Sequence, residues 1–296
     1  MASNLPPRGA HRRRRLGALL AAPAAIFWAL ASPLSVGLDA QQAAPTPEAA
    51  AVQAGTPEAA RPVLDPEKAP SVAGVFREVP LDLWRFVSLD TAMVLGIGGG
   101  AAGIAHIWDD DLATEVQINP TLNNALEPGN KYGQFYAMLG GSVAVYGIGR
   151  VIGHPHTAVV GADLTRALFV SQIWIQGLKY AVQRERPDGS DNLSFPSGHA
   201  AGGFAVATVL ARHYGWKGAI PGYIGAAYIA TARVHDNKHY LSDVVFGSAM
   251  GIAGSRTVLR TGQYRLQLAP AVAPGRIGLT ATVVPPRQRT TTAFPH

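Results

Sequence analysis

Most of the side chains that could do chemistry lie in two stretches of a chain in which only 15% of residues are charged. These are "KYAVQRERPDGSDNLSFPSGHA", from Lys179 to Ala200, and "ARVHDNKHYLSD", from Ala232 to Asp243. Lys179 and Arg186 are seven residues apart, two helical turns, and so face the same way. Pro187 disfavours helical geometry at Arg186, placing that guanidinium at a helix end where it can lean into a cleft. Pro196-Ser197-Gly198-His199 reads as the start of the next helix. Ser197 suits the N-cap, Gly198 lets a ligand approach the backbone, and the free N–H groups attract an anion. His199 then stands in the first turn. His239 and Asp243 are four apart, adjacent on one helical face, so the carboxylate could hold one imidazole N–H and leave the other nitrogen bare to attack. Arg233 lies just before, at the end of the preceding helix. Taken singly, each cluster also has a bland reading: a solvated helix end, an ordinary cap, a structural His–Asp bond.

Taken together they form a more specific set. Three cations can neutralise a phosphoryl group, one imidazole can attack in line, and a second can protonate the leaving oxygen. There is no cysteine, so a thiol nucleophile, a zinc–thiolate site and disulfides are excluded. "HIWDDD" (His106, Asp109 to Asp111) could hold a cation, but carboxylates at a helix end are usually solvated. "HPH" (His154 to His156) is similarly weak. His235 and Asp236 are placed at the mouth of the cleft.

These residues resemble the three-part signature of the type-2 phosphatidic acid phosphatase and vanadium haloperoxidase superfamily. Its pattern is Lys, six residues, Arg-Pro; then Pro-Ser-Gly-His; then Ser-Arg, five residues, His, three residues, Asp. The spacing matches throughout, with one departure: Ala232 stands where the family usually has serine. The resemblance implies a phosphohistidine at His239, oriented by Asp243. His199 would protonate the leaving group and then activate water. Lys179, Arg186, Arg233, Ser197 and the Gly198 N–H would hold the phosphoryl oxygens, without metal or cofactor. It implies an all-α, six-helix core bundle and a phosphatase acting on a lipid phosphate, a small phosphoester or a pyrophosphate. The related haloperoxidases hold vanadate in a similar cage, which makes vanadate-dependent halide oxidation an alternative. A third is a non-catalytic envelope protein of the same fold.

The elements that must position these groups are apolar segments near 86–107, 133–152, 157–184, 198–213, 217–233 and 239–257, each long enough for a helix. Gly/Pro-rich connections such as "EPGNKYG" separate some of them. Uninterrupted apolar runs are mostly shorter than the roughly 20 residues of a membrane span. Asp90, Asp163 and Arg166 would be costly against lipid. Both points favour a water-soluble or membrane-peripheral bundle over a polytopic one. Residues 81–260 are expected to be the helical domain. "YRLQLAPAVAPGRIGLTATVV", within 261–296, alternates about Pro274-Gly275 and predicts a β-hairpin before a disordered tail.

The N-terminus has a different character. Arg8 and Arg12 to Arg15 precede an apolar run from Leu16 to Ala31, the pattern of a secretory signal within residues 1–40. Residues 41–80 are Ala/Pro-rich and read as a disordered linker. The expectation is an exported protein, periplasmic or in the envelope membrane, with its site on the non-cytoplasmic side. Beyond residue 40 there are 20 basic against 18 acidic side chains, which leaves no nucleic-acid footprint.

Overall fold

A computed structural model describes residues 69–115, 120–259, 265–273 and 276–284. The expected signal, most of the linker and the last dozen residues lie outside the described residues. Among those described, nine α-helices form: α1 (Val72–Phe86), α2 (Leu89–Ala105), α3 (Asp109–Glu115), α4 (Pro120–Tyr132), α5 (Phe135–Val151), α6 (Pro155–Val182), α7 (Gly198–Tyr214), α8 (Trp216–His235) and α9 (Leu241–Leu259). A 3-10 turn, His106–Trp108, joins α2 to α3. The six apolar segments correspond to α2 and α5 to α9, so a count of six is too low. Helix starts earlier than the expected Leu81: Ser71 caps α1 through the Gly74 N–H at 3.1 Å, and Pro80 is accommodated inside it. The backbones of β1 (Arg265–Ala273) and β2 (Arg276–Val284) pair antiparallel, Leu266 opposite Val283.

Helices α6, α7 and α9 form the centre. Helix α6, 28 residues long, spans about 42 Å at 1.5 Å per residue. His154 caps its start, and it ends where Gln183 turns left-handed. Helix α9 meets α7 through a face of small residues. A Cβ at Gly251 would lie 2.1 Å from the Ala201 carbonyl oxygen, and one at Gly247 would lie 2.4 Å from that of Ser197. Only glycine allows this approach, which sets the start of α9 against the start of α7. That contact, between residues 50 apart along the chain, joins the second and third parts of the signature.

The charges inside the helices are not lipid-facing. Arg166 Nε donates to Asp82 at 2.8 Å, linking α6 to α1, and Arg256 binds both oxygens of Asp90 at 2.8 and 3.1 Å, linking α9 to α2. Asp163 meets His213 at 3.0 Å. These groups turn inward and are paired, which removes the objection they raised against membrane contact. Two helical segments, Leu89–Thr114 and Pro155–Val182, are long and apolar enough to cross a membrane; 78% of the apolar window in the second is buried in the bundle, against 22% in the first.

Replacing Gly251 by Ala should force α9 off α7 and destabilise the fold by about 1–3 kcal/mol, the usual cost of overpacking. The thermal unfolding midpoint measures this, and an unchanged midpoint would refute the close contact.

Candidate active site

His239 lies in the turn between α8 and α9. Its Nδ1 donates to the Ser194 carbonyl at 2.6 Å. That fixes the tautomer and leaves Nε2 without a proton, accepting a long hydrogen bond of 3.4 Å from Arg186 Nη1. Asp243 does not take the ring N–H directly, because its Oδ2 is 3.9 Å from Nδ1. The physical reason is that α9 begins at Leu241; His239 precedes the helix, so the one-face relation of residues four apart does not apply. Asp243 is linked to the imidazole through Ser194, whose hydroxyl donates to Asp243 Oδ2 and whose carbonyl takes the histidine proton. The Tyr240 N–H also donates to Oδ2, at 2.9 Å.

Ser197 is fully buried, and its hydroxyl accepts the Ala200 N–H as the cap of α7. Its own N–H donates to the Asp243 carbonyl at 3.0 Å. The N–H groups of Gly198 and His199 stand in the first turn, where no intrahelical acceptor is available. His199 Nε2 donates to the Asn130 carbonyl at 3.3 Å, since a carbonyl can only accept.

The three cations arrive from different elements. Lys179, buried in the last turn of α6, donates to the Leu193 carbonyl. Arg186 reaches Asp191 at 2.6 Å and the Lys238 carbonyl at 2.7 Å. Arg233, from the last turn of α8, donates to Asn130 Oδ1 at 2.8 Å and has Asp236 at 4.0 Å.

The imidazoles register this gathering of charge. Burial, then the charges of Arg233, His239 and Lys179, push His199 down to about 3. Burial also pushes His239 down to about 4; the neighbouring Asp243 opposes this, while Lys179, Arg233 and Arg186 add to it. Both rings are therefore neutral near pH 7. Burial would raise Asp243, but the neighbouring His239, the Ser194 hydroxyl and Arg184 outweigh it and hold the carboxyl below its usual range.

Three residues that the spacing did not single out complete the site. Arg184 donates to Asp243 at 2.6 Å, Asp109 at 2.9 Å and Ser242 Oγ at 2.8 Å, and lies 4.0 Å over the Tyr240 ring. Asp109 is 1% exposed, not solvated as "HIWDDD" suggested; it also accepts the Ser242 N–H at 2.9 Å and meets His106 at 2.7 Å. Asn130 touches both Arg233 and His199. Arg184 was visible within the charged stretch but not separable from helix-end charge. His235 is buried at 5% exposure instead of lining a mouth. His154 and His156 sit at the far end of α6, His156 packing on His213 and Tyr214 with ring centroids 5.3 and 5.5 Å away.

Residues 161–267 match the profile of the PAP2 superfamily, and every signature residue from Lys179 to Asp243 falls inside that match. That stretch, about a third of the chain, is similar to a PAP2 superfamily domain. A lipid A 1-phosphatase of Porphyromonas gingivalis is 42% identical over 77 residues, 25% of this chain; the chain spans only 17% of that relative. The crystal structure of a transmembrane PAP2-type phosphatidylglycerolphosphate phosphatase from Bacillus subtilis aligns at a TM-score of 0.48 and 19% identity, over 57% of this chain and 92% of that one.

The depressed imidazoles make the protein's stability pH-dependent. Each titrates near 6.5 when unfolded, so below that pH the unfolded chain binds protons that the folded one refuses, and stability falls. The unfolding midpoint should drop between pH 7 and 4, and drop less in the His199→Ala/His239→Ala double variant. Identical slopes in both proteins would contradict the assignment.

Proposed function

We propose that the protein is a metal-independent phosphatase that hydrolyses a lipid phosphomonoester or pyrophosphate through a phosphohistidine on His239. The observation that carries this is the bare Nε2 of His239, its Nδ1–H committed to Ser194, held beside Arg186 and within the electrostatic reach of Lys179 and Arg233. Nothing else in the described structure needs three cations around two neutral imidazoles. A tetrahedral phosphoryl dianion matches that charge.

In the first step the Nε2 lone pair attacks phosphorus, and the bond from phosphorus to the leaving oxygen breaks. Lys179, Arg186, Arg233, the Ser197 hydroxyl and the first N–H groups of α7 take the charge on the non-bridging oxygens. His199 gives the leaving oxygen its proton. Neutral in the empty cage, it gains that proton when the bound dianion offsets the repulsion of Arg233 and Lys179. In the second step His199 takes a proton from water, the water oxygen attacks phosphorus, and the P–N bond breaks to restore His239.

A lipid substrate is supported by the surface around this end of the bundle. Tyr180 follows Lys179 directly and Val182 lies three residues on, Ile107 lies two residues before Asp109 and Tyr132 two after Asn130, and all four are exposed, Ile107 and Tyr132 at 72% each. Trp84 on α1 and Ile97 and Ile104 on α2 are exposed apolar side chains as well. Exposed apolar area on this scale marks an interaction surface. On this reading acyl chains lie beside the phosphate cage, and the protein acts in an envelope membrane with its site on the non-cytoplasmic side. The relative that is 42% identical over 77 residues is named a lipid A 1-phosphatase, which agrees with this reading.

Purified full-length protein, without added metal, should hydrolyse phosphatidic acid in mixed micelles, with inhibition by orthovanadate. His239→Ala should lose at least ~1,000-fold in kcat, the scale expected when a nucleophile is removed. The profile of kcat/KM against pH should fall on the acid side as pH passes about 4, where the free enzyme's His239 takes up a proton. The protein should stay with the membrane fraction in high salt and leave it in detergent. Full activity in His239→Ala, or a strict metal requirement, would overturn the mechanism; release by salt alone would overturn the membrane placement.

A further inference from the structure

Helix α4 lies outside the stretch that matches the PAP2 profile, yet it reaches into the centre of the site. Its "EPGNKYG" segment, which reads as a mere connection, is helical up to Tyr132 in spite of Pro128. A Cβ at Gly129 would lie 3.1 Å from the Ala232 Cβ, and one at Gly133 would lie 3.0 Å from His199 Cδ2. Helix α4 is therefore seated directly on the end of α8 and on the imidazole. Ala232, in the position where the resemblance leads one to expect serine, is fully buried under Gly129. Its small side chain is what lets the two helices close.

Asn130 sits between those two glycines. Its Oδ1 accepts from Arg233 Nη1 at 2.8 Å, its Nδ2 donates to Asp236, and its backbone carbonyl accepts from His199 Nε2 at 3.3 Å. One residue thus touches the cation of the third motif and the imidazole of the second. Arg233 Nε is buried without a partner, so Asn130 is the strong side-chain contact fixing the plane of that guanidinium. An amide suits this task because it presents an acceptor to Arg233 and a donor to Asp236 at once. A carboxylate would repel Asp236 and neutralise the cation.

We infer that Asn130 is a positioning residue of the phosphoryl site, which aims the Arg233 guanidinium at the phosphoryl oxygens while its carbonyl sets the His199 tautomer. The inference rests on the phosphatase reading above, but its test does not depend on turnover. The full-length wild type, Asn130→Ala, Asn130→Asp and the Asn130→Asp/Asp236→Asn pair would be compared for kcat, KM, orthovanadate affinity and thermal midpoint. The alanine variant loses a hydrogen bond to a charged group, and kcat/KM should fall by roughly tenfold to a hundredfold. Most of that loss should appear in KM, with orthovanadate binding weakened about as much, because the contact serves ground state and transition state alike. The single aspartate should also be impaired. The paired variant exchanges donor and acceptor at unchanged net charge. With the repulsion removed but a carboxylate still on Arg233, it should regain several-fold over Asn130→Asp in both kcat/KM and orthovanadate affinity, readouts that a merely structural contact would not move.

Wild-type affinity for orthovanadate in Asn130→Ala, or no recovery in the paired variant over Asn130→Asp, would overturn the inference. If Asn130→Ala does not fold, the comparison of the paired variant with Asn130→Asp decides it. If the wild type hydrolyses no phosphoester, the phosphatase reading fails separately, and the orthovanadate affinities still decide the role of Asn130.

Discussion

The structure depends on a buried carboxylate, Asp243, whose bonds are all spent on scaffolding. Arg184 neutralises one oxygen; Ser194 and the Tyr240 N–H take the other. Because Arg184 also grips Asp109, and Asp109 holds the first turn of α9 through Ser242, four distant segments are tied at one point. A buried charge left without its partner costs several kcal/mol, so this knot forms completely or the local fold does not. Its consequence is chemical. With Asp243 engaged by Arg184, it bonds directly to none of Lys179, Arg186 or Arg233; Arg186 pairs with Asp191, Arg233 has Asp236 at 4.0 Å, and Lys179 is held only by a carbonyl.

Close helix packing carries that constraint outward. The small-residue face of α9 brings the turn holding His239 beside the start of α7, and the glycines of α4 let Asn130 reach Arg233. The imidazoles are thereby placed in a dry, positively charged pocket that keeps them neutral, the state required of a nitrogen nucleophile. Pre-organised charge of this kind needs no reorganisation when the transition state forms.

Much of the site is legible in the sequence because its ligating groups recur at fixed spacings: Lys179 and Arg186 bracket a helix end, and Ser197 announces a helix start. In the structure Lys179, Arg186 and Arg233 lie within electrostatic reach of His239, and Arg233 and Lys179 within that of His199. What the sequence does not disclose is the layer behind them. Asp109 lies 75 residues from Arg184, and Asn130 lies 103 from Arg233, and no local periodicity marks a contact made across the bundle. The same limit explains the misplaced Asp243 bond. Four-residue spacing implies adjacency only inside a helix, and α9 begins two residues too late to include His239. The first nine residues of α1, Val72 to Pro80, read as linker because Pro80 and the charges obscure the pattern, so the helix that carries Asp82 to Arg166 is longer than the sequence suggests. The paired acids and bases inside the helices likewise signalled solvent in the sequence but form internal ties in the fold.

The central claim is that the free Nε2 of His239 becomes bonded to phosphorus during turnover. Quenching in alkali the reaction of a His199→Ala variant with p-nitrophenyl phosphate, followed by mass spectrometry of the proteolysed chain, reads this directly: that leaving group departs without a proton, so only the water-activating role of His199 is lost and the intermediate should accumulate. The account predicts a phosphoryl adduct on the peptide containing His239 and on no other. An adduct on a different residue, or turnover with no adduct at any time in the pre-steady state, would contradict it.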